Sequence, residues 1–331
     1  MEGAKLFFKS MYLKEHKLTP DVLRYIVSLS SYNEEDIIEM MYKEYNGQHC
    51  LCVENDYHTE NHYFDREKSI TKNEKGYVTE INICPDDEGD YKCGIRGCGY
   101  QSDIPLTPSR ILPEIGKFLY LEKIRFEGVD LIGSIPKEIG NLRNLTHLEI
   151  IGGNQNNDYS DLPETLLNLQ KLECLNLSYL YLTSDSLNVI STLTNLKNLE
   201  LKSSLDTYIE IPDWISNLKS LEYLTLNHDF QGEIPLFIKD LKNLKNFIFN
   251  GVKGKVPNFL FSSSLDALFL SSNSSFFIDF TVEFERMPIK YMSIYNCDII
   301  GEKPAIYADR IETKEERRLQ EELWASQGGR L

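Results

Sequence analysis

No run in this 331-residue chain approaches the roughly 18 consecutive apolar residues that a membrane-spanning helix needs, so no span is expected. Basic residues are the minority: 35 Lys and Arg face 51 Asp and Glu, a formal net charge of −16. Such a chain repels phosphate backbones at long range, which argues against nucleic acid as a general partner. No G-x-S-x-G, phosphate-binding glycine loop or H-E-x-x-H occurs. Gly94, Gly97 and Gly99 sit in a cysteine-rich stretch without the strand-then-helix context of a nucleotide loop. No catalytic residues, no enzyme activity and no cofactor are therefore expected. The N-terminal stretch from Met1 to Lys9 lacks a secretory apolar core, since Lys9 and Lys14 interrupt it. That predicts an intracellular, cytoplasmic protein. The seven cysteines are odd in number and, without a secretion signal, favour reduced thiols. Apolar residues are not scarce: at 41%, with 26% charged, they exclude a mainly disordered chain.

What is there is a repeat. A frame L-x-x-L-x-L begins at Leu121 (LEKIRF), Leu145, Leu172, Leu196, Leu221, Leu244, Leu265 and Ile289 (IKYMSI). The steps between copies are 24, 27, 24, 25, 23, 21 and 24 residues. A second signal follows the frame at Ile135-Pro136, Leu162-Pro163, Ile211-Pro212, Ile234-Pro235 and Val256-Pro257. Glycine stands two residues before that pair at Gly133, Gly232 and Gly254. The alternating frame puts its apolar side chains on one side of a short strand. The apolar-Pro segment turns the chain to the opposite side, where no ladder N–H is needed from Pro. One such unit cannot bury its own apolar face, but stacked neighbours share a continuous core.

The segment Gly133-Ser134-Ile135-Pro136-Lys137-Glu138-Ile139-Gly140-Asn141-Leu142 carries a resemblance. With the frame above, residues 109–304 resemble the leucine-rich-repeat family, in the G-x-I-P-x-x-I-G-N-L class of plant-type receptors. The resemblance implies an α/β solenoid, curved, with its parallel sheet on the concave face. Many members carry Asn or Cys three residues after the last strand leucine. Here Asn273 and Cys297 fit, whereas Val129, Leu180, Ser204 and Val252 occupy the other slots. The long copy holds an insertion, Gly152 to Asp158, expected as a polar loop beside the concave rim.

Four regions follow: a helical N-terminal segment (1–48), a cysteine-containing N-terminal cap (49–108), the repeats (109–304) and a C-terminal helical cap or tail (305–331). In the first, Thr19-Pro20-Asp21 and the pair Ser31 and Glu34 have helix-start spacing. Leu18 to Leu29 also resembles the start of an F-box, which would imply a substrate receptor of a cullin-type ubiquitin ligase. No Trp follows, and Tyr45 would stand in its place. In the second region, Tyr77 to Ile83 alternates and resembles the first strand of a cap. The surrounding His49, Cys50, Cys52, His58, His62, Cys84, Cys93 and Cys98 lack a paired-knuckle spacing, so free thiols are expected and no metal. In the fourth region, Ala308 to Leu323 reads as a helix with an apolar stripe of Ile311, Leu319 and Leu323.

Binding residues follow from strand alternation: the third, fifth, seventh and eighth frame positions point out of the concave sheet. The N-terminal copies present Lys123, Arg125, His147 and Glu149 there, and Tyr179 follows in the third copy. The later copies present Tyr223, His228, Ile248, Phe269, Tyr291 and Tyr295. Exposed aromatics with few charges have the composition of a protein-binding hot spot. The expected function is thus a non-catalytic module that captures a protein or peptide on this face. The alternatives are the F-box-like receptor and a secreted or cell-surface ectodomain like those of plant receptors. Sequons at Asn144, Asn176 and Asn273 matter only for the last. The sequence does not assign an oligomeric state.

Overall fold

The computed structural model describes residues 33–46, 69–83, 111–129, 134–152, 162–180, 182–203, 209–228, 230–272, 276–281, 289–303 and 310–319. The F-box-like stretch from Leu18 to Leu29, the cysteines from Cys50 to Cys98, the residues from Gly153 to Asp158, Asn273 and Leu323 lie outside these residues.

A hairpin opens the sheet. Its strand β1 (Ile70–Lys72) runs antiparallel to β2 (Val78–Ile83). The turn closes at Gly76, whose φ of 82° suits glycine, and Asn73 Oδ1 accepts from the Lys75 and Tyr77 N–H groups. Strands β3 (Lys123–Val129), β4 (His147–Gly152), β5 (Cys174–Leu180), β6 (Asn198–Ser203), β7 (Tyr223–His228) and β8 (Asn246–Phe249) then stack in sequence order, each parallel to the last. After β9 (Gly254–Lys255), the same sheet continues through β10 (Ala267–Leu270) and, past β11 (Phe276–Asp279), through β12 (Tyr291–Ile300) and β13 (Ile311–Thr313). Strands β9 and β11 and the far end of β12 form a second parallel ladder on another side of the repeats.

The frame leucines explain the stacking. Leu121, Leu145, Leu172, Leu196, Leu221, Leu244, Leu265 and Ile289 are all buried, as are the inward strand residues such as Leu148, Ile150, Leu199 and Leu201. Each fully buried Leu or Ile is worth about 1.5–3 kcal/mol over its exposed state. The C-terminal repeats fill the same volume with Phe230, Phe247, Phe249, Phe261 and Phe276. A single apolar core therefore runs from Ile37 to Ile311.

The return segments are short 3₁₀ turns. Pro136, Pro163, Pro212, Pro235 and Pro257 precede them in extended conformation, with φ between −66° and −69°. The Pro carbonyl accepts from the residue three on, as Ile139 N donates to Pro136 O at 3.1 Å, so the missing Pro N–H costs nothing. One copy lacks Pro. There Thr183 and Ser186 form a capping box that starts α2 (Ser184–Leu187), which follows the N-terminal helix α1 (Glu34–Asn46). Gly140 is required by close approach: a Cβ there would lie 2.4 Å from Thr165 O of the next repeat.

Both ends of the core are covered. Helix α1 (Glu34–Asn46) buries Ile37, Ile38 and Met41 in the apolar core, and its Glu34 Oε2 accepts from Val78 N at 3.0 Å. At the other end the expected helix from Ala308 is corrected. Ile311 is buried in β13, paired with Ile294, and helix begins only at residue 314. The reason is a capping box: Glu316 N donates to Thr313 Oγ1 and Thr313 N donates to Glu316 Oε2. Leu319 is exposed, so the stripe with Ile311 does not form.

The polar ladder also sits elsewhere than the family pattern suggests. Leu180 and Val252 are buried apolar residues, and Cys297 is a buried thiol 3.8 Å from Glu312 O. The carboxamides that tie repeats together are one residue before the first frame leucine. Asn144, Asn195 and Asn243 each donate to a carbonyl of the preceding repeat (Leu119, Gln170 and Lys219) at 2.7–2.9 Å.

Candidate protein-binding face

Strand register arranges the outward side chains in rows that cross the sheet. One row runs Lys123, His147, Cys174, Asn198, Tyr223, Asn246, Ala267, Tyr291. The next runs Arg125, Glu149, Asn176, Glu200, Thr225, Ile248, Phe269, Ser293. The alternation expected from sequence is present: these residues are partly or fully exposed, and their strand neighbours are buried. Two positions depart from it. Ala267 is buried, its methyl too short to rise between Asn246 and Tyr291. Ser178 is buried because the strand bulges after it, and its Oγ donates to Asn176 Oδ1 at 2.6 Å. His228 lies in β7, but its side chain is outside the described residues.

The N-terminal part of this face is a network of paired charges. Arg125 donates to Glu149 at 2.7 Å and through Nε to Glu127 at 3.1 Å. Asn176 Nδ2 donates to Glu200 Oε2 at 3.0 Å, and Lys202 pairs with the same carboxylate. Lys123 approaches Glu80 at 4.0 Å, and His147 Nδ1 lies 2.9 Å from Thr146 Oγ1. Cys174 sits among them. Burial pushes its thiol up to about 11, with Glu149 and Glu200 adding to the rise and Arg125 opposing it. The thiol is therefore protonated at neutral pH and a poor nucleophile.

Tyr179 closes this region. Its φ is 58°, a left-handed backbone that a bulky side chain rarely adopts. The ring stays on the surface, with Lys202 Nζ 5.9 Å from its centroid. Asn296 has the equivalent frame position and a φ of 59°.

The C-terminal part is different. On β7, β8, β10 and β12 the outward residues in the two rows above, and in the row Asn227, Asn250, Ser271 and Tyr295, include no Asp, Glu, Lys, Arg or His. Tyr291 is 67% exposed, Tyr295 47%, Tyr223 43% and Phe269 37%, while Ile248 is half-buried between the rings' strands. Sequence reasoning selected all five residues, and the register brings them onto four adjacent strands.

A feature missed in the sequence borders the face. The second frame positions carry Glu173–Lys197 (2.9 Å), Glu222–Lys245 and Asp266–Lys290 (2.7 Å), each pair bridging consecutive repeats. The Lys197 ammonium holds the Glu173 carboxyl below its ordinary value, and Glu222 and Asp266 raise Lys245 and Lys290. The alternation of Glu or Asp with Lys at one frame position is the sequence signal that would have found it. Among the described residues, no group of three or more His, Cys, Asp or Glu could hold a metal ion, and Cys174 and Cys297 are free thiols. No described helix is long and apolar enough to cross a membrane.

No family model matches the chain. By sequence it is similar to two Arabidopsis thaliana proteins. Receptor-like protein 39 is 30% identical over 164 residues, 48% of this chain and 18% of that protein. Receptor-like protein 22 is 30% identical over 132 residues, 39% of this chain and 17% of that protein. The chain is a leucine-rich-repeat solenoid similar to plant receptor-like proteins. This leucine-rich-repeat chain spans less than a fifth of the length of either relative. Its fold is that of a plant ice-binding protein of known crystal structure: the TM-score is 0.57 at 19% identity, over 83% of this chain and 89% of that one. The expected cytoplasmic placement is corrected by these relatives, which are receptor-like proteins and point to the cell surface or the extracellular space. The expectation rested on the stretch Met1 to Lys9 and on the cysteine count, neither of which the fold depends on. With that correction the sequons gain relevance, yet Asn144 and Asn176 already use their carboxamides, toward Leu119 O and Glu200.

Proposed function

We propose that this leucine-rich-repeat protein is a non-catalytic recognition module that binds a protein or peptide partner on its concave face. The observation that carries the reading is the block of exposed aromatics Tyr223, Phe269, Tyr291 and Tyr295, on β7, β10 and β12 with Ile248 of β8 between them. Aromatic side chains left in water on a rigid sheet gain the most when a partner covers them, and they lose little conformational freedom on binding. The similarity to receptor-like proteins supports a recognition role. An F-box mode of action gains no support from α1, because Ile37, Ile38 and Met41 are already buried in this chain's own core. Lys123, Arg125, His147, Glu149 and Tyr179 form the outer part of the proposed binding face, and His228 belongs to it by its place in β7.

The test is affinity capture from secreted and surface proteins of the native cell, read by mass spectrometry. Wild type is compared with a Tyr223→Ala, Tyr291→Ala, Tyr295→Ala variant whose thermal midpoint is unchanged. The expected result is a partner retained by wild type and lost from the variant. A partner set that ignores the three substitutions would move the binding site off this face.

A further inference from the structure

The proposed binding face has two chemically distinct parts, and their difference specifies the partner. In the N-terminal part the charges face one another. Arg125 is shared by Glu127 and Glu149, and Glu200 by Asn176 and Lys202. In the C-terminal part, the third, fifth and seventh frame positions of four repeats carry no charge, and at the eighth positions the one ionisable side chain is the imidazole of His228. The border beside that part is also satisfied, since Glu222 pairs with Lys245 and Asp266 with Lys290.

We infer that the partner meets β7, β8, β10 and β12 with an uncharged, extended peptide segment lying across the strands. This rests on the binding-face reading above and adds the chemistry of the ligand. A charged side chain brought onto this patch would lose water and find no opposite charge, whereas a neutral one loses little. Apolar and aromatic side chains of the segment would cover Tyr291, Phe269 and Tyr223. Its backbone amides would meet carboxamides and hydroxyls. Size follows from the sheet. From β7 to β12 there are three strand steps of about 4.8 Å, some 14 Å in all, which an extended chain at about 3.3 Å per residue crosses in roughly four to five residues.

The experiment displays a random dodecapeptide library on phage and selects on the immobilised full chain, in low salt and in high salt. The expected result is enrichment of peptides sharing a run of about four to six uncharged residues that includes an aromatic or aliphatic one. A synthetic peptide of that consensus should weaken on the order of tenfold or more with Tyr291→Ala plus Tyr295→Ala. It should weaken comparably when Asp or Lys replaces a residue of its neutral run, and change little between the two salt concentrations. Tyr291→Phe plus Tyr295→Phe should retain binding, which separates loss of contact from loss of fold. Leu236→Ser, an exposed residue of a return turn, should leave binding unchanged. Enriched peptides that are charged and strongly salt-dependent would overturn the uncharged ligand while leaving the face as the binding site. Enrichment indifferent to the tyrosine substitutions would overturn the binding face itself, and no enrichment would overturn the short extended segment as its ligand.

Discussion

The concave sheet is one surface built from one frame, yet its two halves treat polar side chains in opposite ways. Over β3 to β6 the outward residues include charges that close on each other, with Arg125 between Glu127 and Glu149 and Glu200 between Asn176 and Lys202. Over β7, β8, β10 and β12 they are aromatic, aliphatic, amide or hydroxyl apart from the imidazole of His228, and the tyrosine and phenylalanine rings stand in water. Cross-strand partners sit about 5 Å apart, so a row that alternates charge satisfies itself without any ligand. A row of tyrosines does not, because ring burial needs something on top. The charged half therefore reads as part of the fold's own accounting of polar groups, and the neutral half as surface that awaits a partner.

The largest effect tests whether the two halves belong to one folding unit. Leu175→Ala removes core behind the charged half, and Phe249→Ala does so behind the neutral half. Each should cost about 2–5 kcal/mol. In a single cooperative unit both lower one urea midpoint; two transitions, with Phe249→Ala shifting only one, would mean that the halves unfold independently, as nearest-neighbour repeats permit. Next comes Tyr179, at the seam. Relieving its left-handed backbone by Tyr179→Asn should stabilise the protein by up to about 1 kcal/mol, since Asn tolerates that conformation and already occupies it at Asn296. If the tyrosine is kept for its ligand contact, the same variant binds the consensus peptide less well while melting higher. A smaller effect distinguishes the halves directly. Arg125→Met should cost no more than about 1 kcal/mol, with the loss shrinking in high salt, because the pairs it breaks are partly exposed. Phe269→Glu in the neutral half should change stability by about 0.5 kcal/mol or less and yet abolish peptide binding.

Legibility followed the same division of forces. The strand frame, the inward leucines and the outward rows were readable because burial in a strand has a period of two, and eight copies repeat the message. Tyr223, Phe269, Tyr291 and Tyr295 came out on the surface, and Ile248 half-buried beside them, for that reason. The errors have separate physical causes. Ser178 turned inward because a bulge at Tyr179 breaks the period locally. Ile311 went into a strand instead of a helix because edge pairing with β12 outweighs a weak helical stripe, and the capping box at Thr313 was overlooked. The Asn144, Asn195 and Asn243 ladder was missed because it replaces the family's usual position with another that does the same work for the backbone. Compartment was read from the stretch Met1 to Lys9 and the cysteine count rather than from the repeats, and it was the one prediction that the relatives overturned.

The comparison of halves also makes a claim about acid. The C-terminal half is uncharged only on its concave face; on the second ladder Lys255 Nζ lies 2.7 Å from Asp279 Oδ2. The Lys255 hydrogen bond, followed by those from the Thr281 hydroxyl and N–H, holds the Asp279 carboxyl down at about 2. A carboxyl depressed in the folded state adds stability above its unfolded value of about 3.9, and that contribution is lost as pH falls through the folded value. The window is thus roughly pH 4 to pH 2. Carboxyl-carbon NMR titration should find the Asp279 midpoint near 2 in wild type. In Lys255→Gln it should rise toward the ordinary range but stop short of it, because Thr281 still donates twice. Binding of the consensus peptide above pH 4 should be the same in both proteins. Equal midpoints in the two would mean that the pair does not persist in solution. A binding change would mean that the second ladder and the concave face are coupled, and that the neutral half is not chemically closed to its own charged flank.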